Sequence, residues 1–277
     1  MGWYNLEKVR ETMRNCLILG SGRSGTSMVA GALAQTGYFM GDRLVTPRHS
    51  NPKGFFEDYE VNAINEAILK PFTPSAPPPF RPRRLYHLLC RTIFSRRFTT
   101  GTRWLAKIPV GVSLASAPDI QARIQGLIAR APYCFKDPRF CYTLPVWWPW
   151  LSHTRFICVF RNPTISARSM LQESQVVPKL AGLKLTYADC LEVWRLMYTH
   201  VLDIHSQQGD WLFLQYEQVL DGSGLDRLTD FLQVNPDRSF PDPSLRRTQA
   251  DGDMPGSVRQ VYDRLCRKAY SHQEQCT

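Results

Sequence analysis

The chain has 277 residues, of which 43% are hydrophobic and 21% charged. A chain of that length buries roughly three quarters of its unfolded surface without help from a second domain, and the composition excludes a disordered or fibrous protein. The net charge of +10 is uneven: nine basic residues lie in the acid-free stretch Ala67–Pro118, leaving 25 basic against 24 acidic residues elsewhere, which argues against a nucleic-acid-binding protein.

No run approaches the ~18 apolar residues of a membrane span. The start, with Glu7, Lys8, Arg10, Glu11 and Arg14, holds neither an apolar signal core nor a cleavage site, so a cytoplasmic protein is expected. The eight cysteines form no CxxC pair and no Cys/His ligand spacing. Reduced, mostly buried thiols and no metal site are expected.

In chain order, Cys16–Leu19 reads as a buried parallel strand ending at Gly20. A glycine-rich turn follows, then a helix from Met28 through Leu33, ending near Gly37. Glu60–Lys70 has helical spacing through Val61, Ile64, Ala67 and Ile68. Pro71–Pro82 holds six prolines in twelve residues and must be an extended loop. Arg83–Phe98 reads as a basic amphipathic helix; with its flanks it forms a proline-rich basic insert at about 71–103. Trp104–Ile108 and Tyr133–Phe135 are short strand candidates. Ser116–Arg130 and Arg139–Leu151 read as helices, the second distorted at Pro145 and Pro149.

Arg155–Phe160 is the clearest buried strand, and Pro163 suits the first turn of a helix running to about Ser174. A long helix over Tyr187–His205, a strand over Trp211–Gln215, and helices over Leu225–Leu232 and Ser257–Tyr270 complete the pattern, with Pro241–Gly256 irregular. Strands alternating with helices predict one α/β domain over 1–277: a three-layer α/β/α, P-loop-like fold with a central, mainly parallel sheet.

Two segments carry chemistry. Gly20-x4-Gly25 opens like a phosphate-binding P-loop, but Thr26 stands where the lysine belongs. Backbone N–H groups and a helix N-terminus still favour an anion there, and Arg23, Ser24, Thr26 and Ser27 can all donate to it. The second segment is the strand ending in Arg161-Asn162-Pro163, with Ser169 following. Kinases and GTPases usually place a magnesium-binding carboxylate at such a strand end. A cation and a downstream hydroxyl would bind a second phosphate directly.

Ser21-Gly22-Arg23-Ser24-Gly25-Thr26-Ser27 resembles the 5′-phosphosulfate loop of the PAPS-dependent sulfotransferases, in the arginine-containing form of their bacterial, tyrosylprotein and heparan-type branches. Arg161-Asn162-Pro163 with Ser169, eight residues after the arginine, resembles their 3′-phosphate motif. Asn51–Asp58, Phe135–Arg139, Leu214–Glu217 and Ser244–Arg247 resemble further pieces of bacterial members. The insert at 71–103 matches no shared motif.

The resemblance implies transfer of a sulfuryl group from PAPS to a hydroxyl or amine, releasing adenosine 3′,5′-bisphosphate, without a metal. It implies that Arg23 stabilises the departing 5′-phosphate, cradled by Ser21, Gly22, Ser24, Gly25, Thr26 and Ser27. Arg161 and Ser169 would hold the 3′-phosphate. Arg246 or Arg247 would close over the cofactor, although a solvated basic turn accounts for that pair equally well.

A hydroxyl acceptor needs a base at the moment of attack. Glu57 is the implied base, with its pKa raised by apolar neighbours; His49 is the competing choice. Asp58 fits better as the cap of the following helix. Lys136 and Arg139 either reach the sulfuryl group or pair with Asp137. Tyr216-Glu217 reads as a brace for the fold; Trp147, Trp148 and Trp150 either line an apolar acceptor pocket or, as aromatic clusters at helical spacing usually do, form core.

The acceptor class is open among carbohydrate, lipid, peptide and natural-product hydroxyls, and the oligomeric state is unset. The basic helix at 83–98 could touch a membrane surface, guide an acceptor, or form a solvated face. Two other functional readings stand: a P-loop small-molecule kinase, and a non-catalytic nucleotide-binding protein of the same fold.

Overall fold

The computed structural model describes residues 13–73, 98–245 and 252–271. The expected basic helix at 83–98 and the pair Arg246 and Arg247 therefore lie outside the described residues, apart from Phe98.

Four strands build the sheet: β1 (Asn15–Leu19), β2 (Cys134–Lys136), β3 (Thr154–Phe160) and β4 (Asp210–Gln215). The described helices are α1 (Thr26–Leu33), α2 (Tyr59–Leu69), α3 (Pro118–Ile128), α4 (Phe140–Trp147), α5 (Pro163–Val176), α6 (Pro178–Ala181), α7 (Tyr187–Asp203), α8 (Tyr216–Leu220), α9 (Ser223–Leu232) and α10 (Gly256–Tyr270). All strand pairings are parallel, in the order β2-β1-β3-β4.

Alternation along each strand feeds two separate cores. Leu17, Leu19, Phe156, Cys158 and Phe160 face one side, against Trp194, Met197, Val201 and Leu265 of α7 and α10. Cys16, Ile18, Ile157, Val159, Leu212 and Leu214 face the other, against Val29, Leu33, Leu225 and Leu228 of α1 and α9. Helices thus cover both faces of a parallel sheet, the three-layer arrangement expected from the alternating elements.

Connection order positions the site. From β1 the chain moves to β2 on one side and then crosses back to β3 on the other. The switch point therefore falls between β1 and β3, whose register pairs Leu19 with Cys158. Crevices at the carboxyl ends of strands flanking such a point are where ligands bind in open α/β sheets.

Local signals fix several boundaries. Asp58 caps α2, its side chain accepting from the Glu60 and Val61 amides, and Asn162 caps α5 by accepting from the Thr164 amide ahead of Pro163. Helix α4 ends where Trp148–Trp150 tightens into a 3₁₀ turn around Pro149.

One expected strand is absent. Where a strand over Trp104–Ile108 is expected, Arg103–Leu105 forms a 3₁₀ turn that takes in Trp104 and Leu105. Arg103 is buried, with its amide and guanidinium bonded to Glu66 and its Nε donating to Thr73 at 2.7 Å. Satisfying that buried guanidinium outweighs the apolar pattern around it.

Candidate active site

The turn after β1 is shaped by backbone constraints. Gly20 has φ +151°, and a Cβ there would stand 2.1 Å from the Val159 carbonyl oxygen, so the chain can cross β3 only without a side chain. Arg23 adopts the left-handed region at φ +68°. Beyond it, α1 begins with no side chain capping its N-terminus, leaving first-turn amides available to an anion.

The hydroxyls of this turn divide into two groups. Ser21 and Ser24 are buried, 2.6 Å apart, and serve a brace centred on Tyr198. The Tyr198 hydroxyl donates to the Val159 carbonyl at 2.7 Å, accepts the Ser21 amide at 3.1 Å and stands 2.9 Å from Ser24 Oγ. Thr26 and Ser27, with Gly22, Arg23 and Gly25, line the adjoining cleft. Sequence reasoning had no signal for Tyr198, which sits 177 residues from Ser21 inside a helix.

Arg161 follows β3 directly and also lines the cleft, its guanidinium 4.1 Å from the centre of the Tyr216 ring. Tyr216 follows β4, and its ring packs so close to Gly25 that a Cβ there would lie 2.5 Å from it. Tyr216 is thus part of the cleft wall as well as a brace; its place at a strand's carboxyl end was the available signal. Ser169 lies on α5. Arg23 Nε donates to Ser169 Oγ at 2.9 Å, and Arg23 Nη2 donates to the Ser50 carbonyl at 3.2 Å.

Beside this region Glu57 pairs with Lys136, the last residue of β2, at 2.5 Å. Its second carboxylate oxygen accepts from Asn62 Nδ2 at 3.1 Å. Burial acts to raise the Glu57 pKa, but Lys136 and then Arg139 override it, and the carboxyl ends below its ordinary value. The expectation of a raised pKa is thereby corrected: the immediate neighbours are cations rather than an apolar shell.

Lys136 and Arg139 have different partners. Arg139 bonds Asp137 at 2.9 Å and Glu66 at 2.8 Å in a buried network, and Glu66 in turn holds Arg103 at 2.6 Å. Such a network is costly to break at any one member.

The cleft holds about 590 Å³ and is walled by eight cationic side chains and five acidic ones, a balance suited to an anionic ligand. The structure brings Arg23, Gly22, Gly25, Thr26, Ser27, Glu57, Arg161 and Ser169 onto one wall system. Arg48 and Ser50 contribute to that wall, whereas His49 between them is exposed and does not. Trp147 is buried, donating to Asn65 at 2.9 Å, while Trp148 and Trp150 pack against the core. Trp104, which sequence reasoning assigned to a strand, instead lines the cleft with its ring against Gly22. Among the described residues no helix is long and apolar enough to cross a membrane.

No family model matches the sequence, and no curated protein matches it. Among solved structures, the sulfotransferase domain of the Synechococcus PCC 7002 olefin synthase aligns with a TM-score of 0.50 and 16% identity, over 91% of this chain and 94% of that one. The sulfotransferase domain from the curacin biosynthetic pathway aligns with a TM-score of 0.50 and 17% identity, over 92% of this chain and 98% of that one. The chain has the fold of these sulfotransferase domains, the fold implied by the family that its Ser21–Ser27 and Arg161–Ser169 motifs resemble.

Proposed function

We propose that the protein is a PAPS-dependent sulfotransferase acting on a hydroxyl or amine acceptor, built as one domain and working in the cytoplasm. The observation that carries this reading is the 2.9 Å contact between Arg23 and Ser169. It joins the turn after β1 to the helix after β3, so two anion-binding motifs share one cleft at the switch point. Cys16, Cys134, Cys141 and Cys158 are buried free thiols, which suits a reducing compartment.

The residues present fit such a donor. An uncapped helix N-terminus, the Thr26 and Ser27 hydroxyls and Arg23 offer donors for a 5′-phosphosulfate. Arg161 and Ser169 offer a cation and a hydroxyl for a 3′-phosphate. PAPS, when bound, supplies the sulfuryl group and a bisphosphate leaving group.

The chain's own work is positioning and charge stabilisation, the main resource in loose in-line transfers of this type. Arg23 faces charge that builds on the leaving side. Glu57, held ionised by Lys136, is the acceptor for the hydroxyl proton, which would come to one of its two carboxylate oxygens. Asn62 and Lys136 fix the plane of that carboxylate.

The test is transfer of ³⁵S from labelled PAPS to a panel of hydroxyl and amine acceptors in the presence of EDTA, run beside γ-labelled ATP with Mg²⁺. Label transfer from PAPS alone supports the proposal. Transfer only from ATP would identify a kinase, and binding of the bisphosphate with no transfer to any acceptor would identify a non-catalytic binder.

A further inference from the structure

Glu57 sits on a short two-stranded ribbon. The Val45 amide donates to the Glu57 carbonyl at 2.7 Å, the Tyr59 amide donates to the Arg43 carbonyl at 3.0 Å, and Leu44 bridges Asp58 between them. Alternation on this ribbon turns Arg43, Val45, Glu57 and Tyr59 into the cleft, while Leu44 and Asp58 stay out of its wall.

Four of the five acids on the wall stand in ion pairs. Glu57 is neutralised by Lys136, Glu60 by Arg123, Glu66 by Arg103 and Arg139, and Asp242 by Lys53. Arg43 forms no ion pair among the described residues. Its guanidinium lies 4.9 Å from the centre of the Tyr59 ring, a contact that leaves its hydrogen-bond donors free of an ion pair, while its charge adds to that of Arg123 in lowering the Glu60 pKa. The other cation of this segment, Arg48, stands on the turn that Arg23 grips through the Ser50 carbonyl, beside the groups assigned to the donor. Along the ribbon Arg43 precedes the Val45–Glu57 pair, whereas Arg48 follows it.

Resting on the reading of Glu57 as the base, we propose that the acceptor is a hydroxylated carboxylic acid, and that Arg43, set by Tyr59, binds its carboxylate while the hydroxyl faces Glu57. Guanidinium and carboxylate match as a planar two-bond pair. Val45 and Phe55 on the same wall give the body of the acceptor an apolar surface. Arg43 is a specificity-determining residue on this account and takes no part in the transfer itself.

Paired probes with the same hydroxyl test it: 4-hydroxyphenylacetate against 4-hydroxyphenylacetamide, and glucuronate against glucuronamide. Each is titrated into protein saturated with adenosine 3′,5′-bisphosphate, and KM and kcat are measured where transfer occurs. The acid of each pair should bind tighter by about tenfold to a hundredfold. Arg43→Gln should bring that ratio close to one, through Kd and KM rather than kcat, with bisphosphate affinity retained as the control for folding. Arg48→Gln should keep the acid preference.

Equal binding of acid and amide by the unaltered protein overturns the proposal, as does failure of the acids to bind. A preference that survives Arg43→Gln, or is lost in Arg48→Gln instead, overturns it as well. In each of these cases intact bisphosphate binding leaves the donor reading standing. Absence of bisphosphate binding to the unaltered protein would remove the donor reading and this proposal together.

Discussion

Arg23 Nε reaches Ser169 Oγ at 2.9 Å across 146 residues of sequence. The contact ties the glycine-rich turn after β1 to the helix that follows β3, and the same guanidinium holds the Ser50 carbonyl through Nη2. One side chain therefore stands where three segments of the cleft meet.

On the proposed reading, that position sets Arg23 against charge developing on the leaving side. Arg23→Ala should lower kcat by about 10²–10³-fold, the usual cost of removing one preorganised charge contact. Steady-state kinetics with labelled PAPS measure it, and a near-normal kcat would reject the role.

Glu57 is predicted to be ionised at neutral pH, because Lys136 and Arg139 outweigh its burial. Glu57→Gln should abolish transfer while leaving affinity for adenosine 3′,5′-bisphosphate in place. The acid limb of the kcat/KM profile should lie below the ordinary carboxylate range. Lys136→Met removes the main charge favouring the ionised form, so that limb should move to higher pH. An unmoved limb in this variant would show that another group sets it.

Acid stability should depend on His205. It is buried, with Nε2 3.0 Å from the Cys141 carbonyl oxygen, and burial lowers its pKa from 6.5 to about 4. The unfolded chain then binds a proton that the native state refuses between those two values. Its stabilising contribution is complete above about pH 6.5 and declines as pH falls toward 4, by about 3 kcal/mol in all. Urea unfolding across that window should show the slope, and His205→Gln should flatten it.

Tyr198 should matter to the glycine-rich turn after β1 although it lines no part of the cleft. Tyr198→Phe leaves the Val159 carbonyl and the Ser21 amide without their buried hydroxyl, at a cost of about 1–3 kcal/mol. Chemical denaturation measures the loss. A stability equal to that of the unaltered protein would show that the brace is dispensable.

Much of this arrangement was legible in the residues themselves. The run Cys16–Leu19, the run Arg155–Phe160 and the residues Gly20, Asn162 and Pro163 carry local signals that survive folding, because strand burial and helix capping are decided within a few residues. Asp58 was readable as a cap for the same reason. The Glu57–Lys136 pair, by contrast, joins groups 79 residues apart and exists only because β2 lies beside β1 with Ile18 opposite Lys136. The strand expected at Trp104–Ile108 failed through another long-range term, the demand of buried Arg103 for Glu66 and Thr73. Tyr198 and Trp104 carried no local mark of their place beside the glycine-rich turn, since one reaches it through hydrogen bonds and the other through packing, each from far away in sequence.

The central claim is that one cleft grips both ends of a doubly phosphorylated adenosine, and calorimetric titration of Arg161→Ala tests it most directly. Adenosine 3′,5′-bisphosphate and adenosine 5′-phosphosulfate are titrated into this variant and into the unaltered protein. The account predicts that the variant loses about tenfold to a hundredfold in affinity for the bisphosphate, and far less for the phosphosulfate, which lacks the 3′-phosphate. Equal losses for the two ligands, or a bisphosphate that does not bind the unaltered protein, would contradict it.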